Sequence, residues 1–340
     1  MNSLANIESE EELEKALSNP YPEDVDFGAK LQGDILVLGA GGKMGPTLVL
    51  RILQATKGLK VYAVSRFSDS LQQAKLKKFG ATTIAGDLLD KETLNRLPDC
   101  PNVIYMAGMK FGATGQEDLI WAMNCYLPGR IAERFKSSRI VAFSTGNVYP
   151  LVPVSSGGSK ETDAPGPVGE YAQSCLGRER VLQHFSNHWA TPMCILRLNY
   201  AVEPRYGVLL DIAKRVYCGQ AVPLEMGYVN VIWQGDANSV VFRALSLCSS
   251  PAEILNLTGK EVFSVRFLAE QFAQRFGCEA IFKGREIETA LLNDASRCHE
   301  LFGIPQKSID AIIKLTADWV QRKSPTLNKP TKFEVRDGKF

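Results

Sequence analysis

The sequence predicts an α/β protein, a doubly wound and mostly parallel sheet with helices on both faces and a smaller C-terminal lobe. Three observations point there. Short continuous apolar runs such as Ile35-Leu36-Val37-Leu38 read as strands covered on both faces. These runs alternate with helix-compatible stretches as far as residue 198. A glycine-rich turn, Gly39-Ala40-Gly41-Gly42-Lys43-Met44-Gly45, joins the first of the strands to the helix that follows.

Residues 1–33 form an N-terminal extension, with a short acidic amphipathic helix over 10–17 and then a Pro-rich linker, Asn19-Pro20-Tyr21-Pro22. Strands are expected at 35–38, 61–64, 82–85, 103–106, 140–143 and 193–198. The helices between them are expected at 47–56, 71–79, 91–97, 118–135 and 171–185. Past Asn199 the rhythm is broken by Gly207, Gly219, Pro223 and Gly227, and the elements shorten to a strand at 254–257 and helices at 265–276 and 311–322. The domain division is 34–199 for the nucleotide-binding part, with 230–258 partly returning to it, 200–323 for a substrate lobe and 324–340 for a polar, extended tail.

Composition narrows the function. A chain of 340 residues is enough for about two domains of ~150 residues. With 45% hydrophobic and 22% charged residues it can bury a large core. The balance of 39 Lys+Arg against 37 Asp+Glu leaves +2, which argues against nucleic acid or an anionic membrane as partner. No run of ~18 apolar residues is present to span a bilayer, and the acidic start does not read as a secretory signal. The eight cysteines are scattered singly, without C-x-x-C spacing, and read as reduced thiols of a cytoplasmic protein rather than a disulfide framework or zinc site. His184 and His188, four apart, lack a third ligand and read as a helix surface, so no metal is expected.

The glycine turn carries the first chemistry. Gly39 permits a tight turn, Gly42 lets a pyrophosphate approach the backbone, and Gly45 lets helix pack closely on strand, with Lys43 and Met44 between them. The phosphates of a dinucleotide would then lie at the positive end of the next helix. At the end of the second strand an acidic residue would favour NAD and an arginine NADP. Ser65-Arg66 stands there, with Lys43 near, which leans to NADP over NAD. Arg66 as a solvated charge or an adenine-stacking partner leaves that preference open.

Taken together, the motifs resemble the extended short-chain dehydrogenase/reductase superfamily, in particular its NAD-dependent epimerase/dehydratase family, over roughly residues 34–322. They are the G-x-x-G-x-x-G spacing, Gly86-Asp87-Leu88-Leu89-Asp90, Tyr105-Met106-Ala107-Gly108, Asn124, Ser144-Thr145-Gly146-Asn147-Val148-Tyr149-Pro150, Tyr171 and Arg197-Leu198-Asn199-Tyr200. The resemblance implies a Rossmann-type sheet, with Asp87 and Leu88 by the adenine and Ala107 and Gly108 beneath the cofactor. It also implies Thr145 as the catalytic hydroxyl, Tyr171 as acid/base and Asn124 as support. Arg197, Arg205 and Arg215 could hold a substrate diphosphate or form structural ion pairs. A homodimer through helices 118–135 and 171–188 is implied as well.

One position departs. The family reads Tyr-x-x-x-Lys, and here the helix reads Tyr171-Ala172-Gln173-Ser174-Cys175. Residues four apart share a helix face, so position 175 still faces the cofactor. A cation ~4–5 Å from the phenolate is worth roughly 3–4 kcal/mol at an effective dielectric near 20, lowering the pKa by about 2–3. A neutral thiol supplies none of this. Three readings follow. Lys110, or Lys160 in the loop before Tyr171, supplies the cation; or Tyr171 works as an acid toward a carbonyl; or the protein binds a nucleotide as a sensor or interaction protein without turnover. The expected activity is hydride transfer between NAD(P) and a sugar, a sugar nucleotide or another small hydroxy or carbonyl compound.

Overall fold

The computed structural model describes Leu4 and residues 7–110, 115–329 and 331–339. The first residues of the N-terminal extension and Phe340, the last residue of the expected tail, lie outside the described residues. Seven strands form one sheet: β1 (Ile35–Leu38), β2 (Val61–Ser65), β3 (Thr82–Ala85), β4 (Asn102–Tyr105), β5 (Arg139–Thr145), β6 (Met193–Leu198) and β7 (Glu253–Leu257). Their order is β7-β6-β5-β4-β1-β2-β3, and every neighbouring pair is parallel. The alternation of side chains explains the apolar runs. Ile35 and Val37 enter the core on one face, and Leu36 and Leu38 enter the core on the other. The order reverses between β1 and β4, and this switch opens a crevice at the carboxyl ends of the strands.

The N-terminal extension is more structured than its prolines suggest. Helix α1 (Glu10–Ser18) is followed by α2 (Pro22–Lys30), which starts at the last residue of the expected linker over 19–22. Pro22 sits at the first helical position, where its missing N–H costs nothing. Both helices pack on α3 (Gly45–Ala55). The fully buried Asp24 fastens them. It accepts from Arg51 at 2.5 Å, from the Ser239 hydroxyl at 2.6 Å and from the Tyr21 backbone N–H at 2.9 Å. Asp24→Ala strands the Arg51 guanidinium in the core, and breaking such a pair costs about 3–5 kcal/mol. Denaturant unfolding should read a loss of that size; a loss under about 1 kcal/mol would contradict the role.

Helices α4 (Ser70–Lys78) and α5 (Lys91–Asn95) complete the first crossovers. The single helix expected over 118–135 is interrupted. α6 (Glu117–Trp121) runs into a π-helical turn, Ala122–Tyr126, and then α7 (Leu127–Arg134). Pro128 has no N–H for the carbonyl of Asn124, four residues back. Arg178, on α8 (Gly169–Trp189), donates its Nε to that carbonyl at 3.3 Å instead.

Beyond β6 lie α9 (Val208–Tyr217), α10 (Gln234–Arg243), α11 (Val265–Phe276), α12 (Ser296–Phe302) and α13 (Ile309–Gln321). α9, α11 and α13 share a second core with Trp233, Trp319 and Phe333. Two-residue strand pairs tie this region together, among them Ala201–Val202 with Ile232–Trp233 and Val152–Pro153 with Thr289–Ala290. The polar tail does not extend freely. Phe333 is buried, Trp319 donates its indole N–H to the Pro325 carbonyl at 2.9 Å, and Lys214 donates to Thr326 at 3.1 Å. Among the described residues no helix is long and apolar enough to cross a membrane.

Candidate functional site

The crevice at the switch point holds a cavity of about 380 Å³. Its floor is the glycine turn. Gly39 has φ +94°, and a side chain there would overlap the Ala107 backbone at 2.7 Å. Gly45 starts α3 pressed on the Ala40 carbonyl, 2.3 Å from where a Cβ would stand. Gly42 differs: a Cβ would meet only the Gly39 carbonyl, at 3.3 Å, and otherwise project into the cavity. A bare backbone facing an open cavity at a helix N-terminus is a cradle suited to phosphate oxygens. The residues present therefore fit a dinucleotide.

At the β2 end, Ser65 fills the space beside Gly41 and Arg66 is exposed. Asp87 is exposed as well, its carboxylate accepting from the Leu89 N–H at 2.9 Å, while Leu88 is buried. Neither Ser65 nor Arg66 brings a carboxylate to the strand end.

The opposite end of the cavity is where proton chemistry can occur. β5 delivers Thr145 and α8 delivers Tyr171, and both line the cavity. Thr145 donates its hydroxyl to Asn147 Oδ1 at 3.0 Å, and Thr145 and Cys175 are among the neighbours that act on the phenol. Burial, then the neighbouring Cys175, pushes the phenol well above its usual range, against the pull of Arg178 and Thr145. Tyr171 is therefore held as a proton donor. Cys175 is 1% exposed and packs with Val148 and Tyr149. Burial raises its pKa too, so the thiol stays neutral and is no nucleophile.

Two lysines reach into the same space. Lys110, from the loop after β4, lies 5.5 Å from the Tyr171 ring centre, and burial lowers its pKa to about 8. Lys43 crosses from the glycine turn to donate to the Ala201 carbonyl at 3.0 Å and sits 3.8 Å from the Tyr206 ring centre. Burial, partly offset by Glu203, brings Lys43 to about 7. Lys160 is exposed and does not line the cavity.

Asn124 and Arg178 stand behind Tyr171. The Asn124 amide accepts from the Met109 N–H at 2.9 Å and donates to the Met109 carbonyl at 2.8 Å and to Ser174 at 3.0 Å. Arg178 donates to Asn124 Oδ1 at 2.6 Å and to the Phe143 carbonyl at 2.8 Å. Gly108 has no side chain because Arg178 passes there: a Cβ would lie 2.4 Å from its guanidinium. Arg178 was not singled out from the sequence. Its signal is spacing, seven residues beyond Tyr171 and three beyond Cys175 on one helix face.

Of the residues predicted for the site, the cavity gathers Gly39, Gly42, Lys43, Met44, Gly108, Lys110, Thr145 and Tyr171. Gly45, Ala107, Asn124 and Cys175 form its supporting wall. Arg197 and Arg205 do not join it. Arg197 is buried in a pair with Glu179 at 2.7 Å and donates to the Tyr149 hydroxyl at 2.6 Å. Arg205 pairs with Glu203 at 3.1 Å and with Glu10 at 3.5 Å. Arg215 pairs with Glu334 at 3.0 Å. These arginines are committed to ion pairs because each has a carboxylate brought to it by folding.

The chain resembles solved sugar-nucleotide epimerases, each matched over 85% of this chain and 99% of its own. UDP-glucuronic acid 4-epimerase from Bacillus cereus, solved with UDP-glucuronic acid and NAD, is 18% identical with a TM-score of 0.72. UDP-glucose 4-epimerase from Thermotoga maritima, solved with UDP-glucose, is 18% identical at 0.69. The Thermus thermophilus UDP-glucose 4-epimerase, solved with NAD, is 21% identical at 0.69. Among curated proteins nothing matches. Residues 35–224, more than half of the chain, match the family model itself, and the chain belongs to the NAD dependent epimerase/dehydratase family.

Proposed function

We propose that the protein is an NAD(P)-dependent oxidoreductase or epimerase that moves hydride between the nicotinamide and a small hydroxy or carbonyl compound. The observation that carries this is that Thr145 and Tyr171 line the same cavity as the bare glycine turn. When bound, the nicotinamide supplies or accepts a hydride, two electrons and one hydrogen nucleus. The protein does the rest. Gly39, Gly42 and Gly45 hold the phosphates, with Lys43 beside them. Thr145 orients the substrate oxygen, and Tyr171 donates a proton to it as a carbonyl is reduced. Lys110 brings its ammonium from the β4 loop to the neighbourhood of Cys175, where the family pattern has a lysine. Orientation and the fixed charges supply the rate.

The strand-end pair Ser65-Arg66 supports NADP, whereas the Bacillus cereus and Thermus thermophilus relatives named above hold NAD. Segment 200–323, with 230–258 returning toward the sheet, serves as the substrate lobe. A second copy of the chain pairs on the face of α6, α7 and α8, where Leu119, Trp121 and Tyr126 are exposed. A reducing cytoplasm suits the eight unpaired cysteines. The test is turnover of reduced NAD and NADP against small keto acids, aldoses and sugar nucleotides, read by loss of reduced-nicotinamide absorbance. Oxidation of either cofactor that depends on one of these carbonyl compounds is expected. Tight cofactor binding with no turnover on any of them would favour a sensor of the same fold.

A further inference from the structure

The far side of the active-site cavity is closed by the chain's own C-terminal segment. A second, smaller chamber of about 30 Å³ adjoins the main one and shares Lys110, Asn147, Tyr200 and Thr331 with it. At about 10–15 Å³ per water, it holds some two or three waters and no nucleotide. Phe333, Val335, Arg336 and Gly338 form its outer wall.

That wall is fastened at each end and in the middle. Thr331 donates its N–H and its hydroxyl to Asp211 of α9 at 2.8 and 2.5 Å. Phe333 is 2% exposed within the second core. Arg336 donates to the carbonyls of Glu225 and Thr289, both at 2.8 Å, and to the Thr289 hydroxyl at 2.6 Å. Gly338 lies against the Val168 carbonyl, 2.3 Å from where its Cβ would stand, at the start of the helix that carries Tyr171. A substrate extending past Tyr171 meets this wall.

The charge of the site points the same way. Lys43, Lys110, Arg178 and Lys329 line the larger chamber and Arg336 the smaller, and among the described residues lining either there is no Asp or Glu. The cofactor's pyrophosphate belongs at the glycine turn, on the Lys43 side. Lys110 stands at the junction of the chambers, beside the phenol. A substrate whose reacting oxygen is on Tyr171 and Thr145 places the substituents of its neighbouring carbon toward this ammonium.

Resting on the hydride-transfer reading above, we propose that the substrate is a compact hydroxy or keto compound with an anionic group beside the reacting carbon, held by Lys110, and that residues 331–338 shut out nucleotide-linked sugars. In the reducing direction the carbonyl carbon gains a hydride from the reduced nicotinamide and its oxygen gains the proton of Tyr171, which recovers one from solvent. The product is the hydroxy compound and the oxidised cofactor. Burial costs Lys110 part of its charge, bringing it to about 8, and an adjacent anion restores that charge.

The test uses the full chain loaded with reduced dinucleotide, whose fluorescence is followed while oxalate, inorganic phosphate or UDP is added in separate titrations. A saturable change with oxalate or with phosphate is expected, and which one saturates names the anionic group as carboxylate or phosphate. UDP at equal concentration should give none. Lys110→Gln should weaken the small anion about tenfold or more, and Lys110→Arg should restore it. UDP binding more tightly than both small anions, or no response to either in dinucleotide-loaded protein, would overturn the proposal. Equal anion affinity in Lys110→Gln would remove Lys110 from it. Should Lys110→Gln not fold, the wild-type titrations still decide. Failure to take up the dinucleotide would instead count against the hydride-transfer reading.

Discussion

Tyr171→Phe is expected to lower turnover about 100-fold or more while leaving dinucleotide affinity within about twofold. The phenol is the proton donor that lines the cavity with Thr145, and Phe keeps its packing on α8 while removing only the hydroxyl. Steady-state kinetics beside a cofactor titration separates the two effects. Because burial holds Tyr171 protonated, the reducing direction should suffer at every pH at which the fold is stable. A loss under about tenfold would remove Tyr171 from the acid role and leave the binding reading standing.

Gly42→Asp is expected to abolish useful dinucleotide binding without unfolding the protein. The backbone at Gly42 does not need the left-handed region, and the nearest atom to a new Cβ is the Gly39 carbonyl at 3.3 Å, a contact that eases with a shift of a few tenths of an ångström. The carboxylate would project toward the pyrophosphate. Two like charges about 4 Å apart repel by about 4 kcal/mol at an effective dielectric of 20. Solvent reaching the exposed loop reduces this, so an affinity loss of about 100-fold is expected, with an unchanged melting temperature. Gly45→Val is the contrasting substitution: its side chain collides with the Ala40 carbonyl, so stability should fall as well. Unaltered dinucleotide affinity in Gly42→Asp would place the phosphates elsewhere.

Much of the sheet was legible because its signal is local. An apolar run bounded by turn residues reads as a buried parallel strand, and the glycine turn is readable because it falls between such a strand and a helix within one strand–helix–strand unit. Thr145 is read from the consecutive Ser-Thr-Gly-Asn-Val-Tyr-Pro motif and Tyr171 from its spacing beyond Thr145, and both line the cavity. The site was not legible where the function of a residue is set by a partner distant in sequence. Arg197 reads equally as a substrate ligand or a structural ion pair because nothing in its own segment announces Glu179, 18 residues away. Arg178 was missed because its role depends on Pro128 freeing the Asn124 carbonyl, a contact made across two helices. Pro22 read as a linker although proline also opens helices. The tail reads as extended because its sequence is polar and proline-containing. Thr331, Phe333 and Arg336 each find a partner only once α9 and the segments near Glu225 and Thr289 are in place.

The central claim is that a pyridine nucleotide lies across the β1–β4 crevice with its reactive ring at the phenol. A crystal structure of the full chain grown with reduced NAD or NADP tests this most directly. It should show the pyrophosphate against Gly39–Gly45 and the nicotinamide between Thr145 and Tyr171. An empty crevice at saturating nucleotide, or a ring placed away from Tyr171, would contradict it.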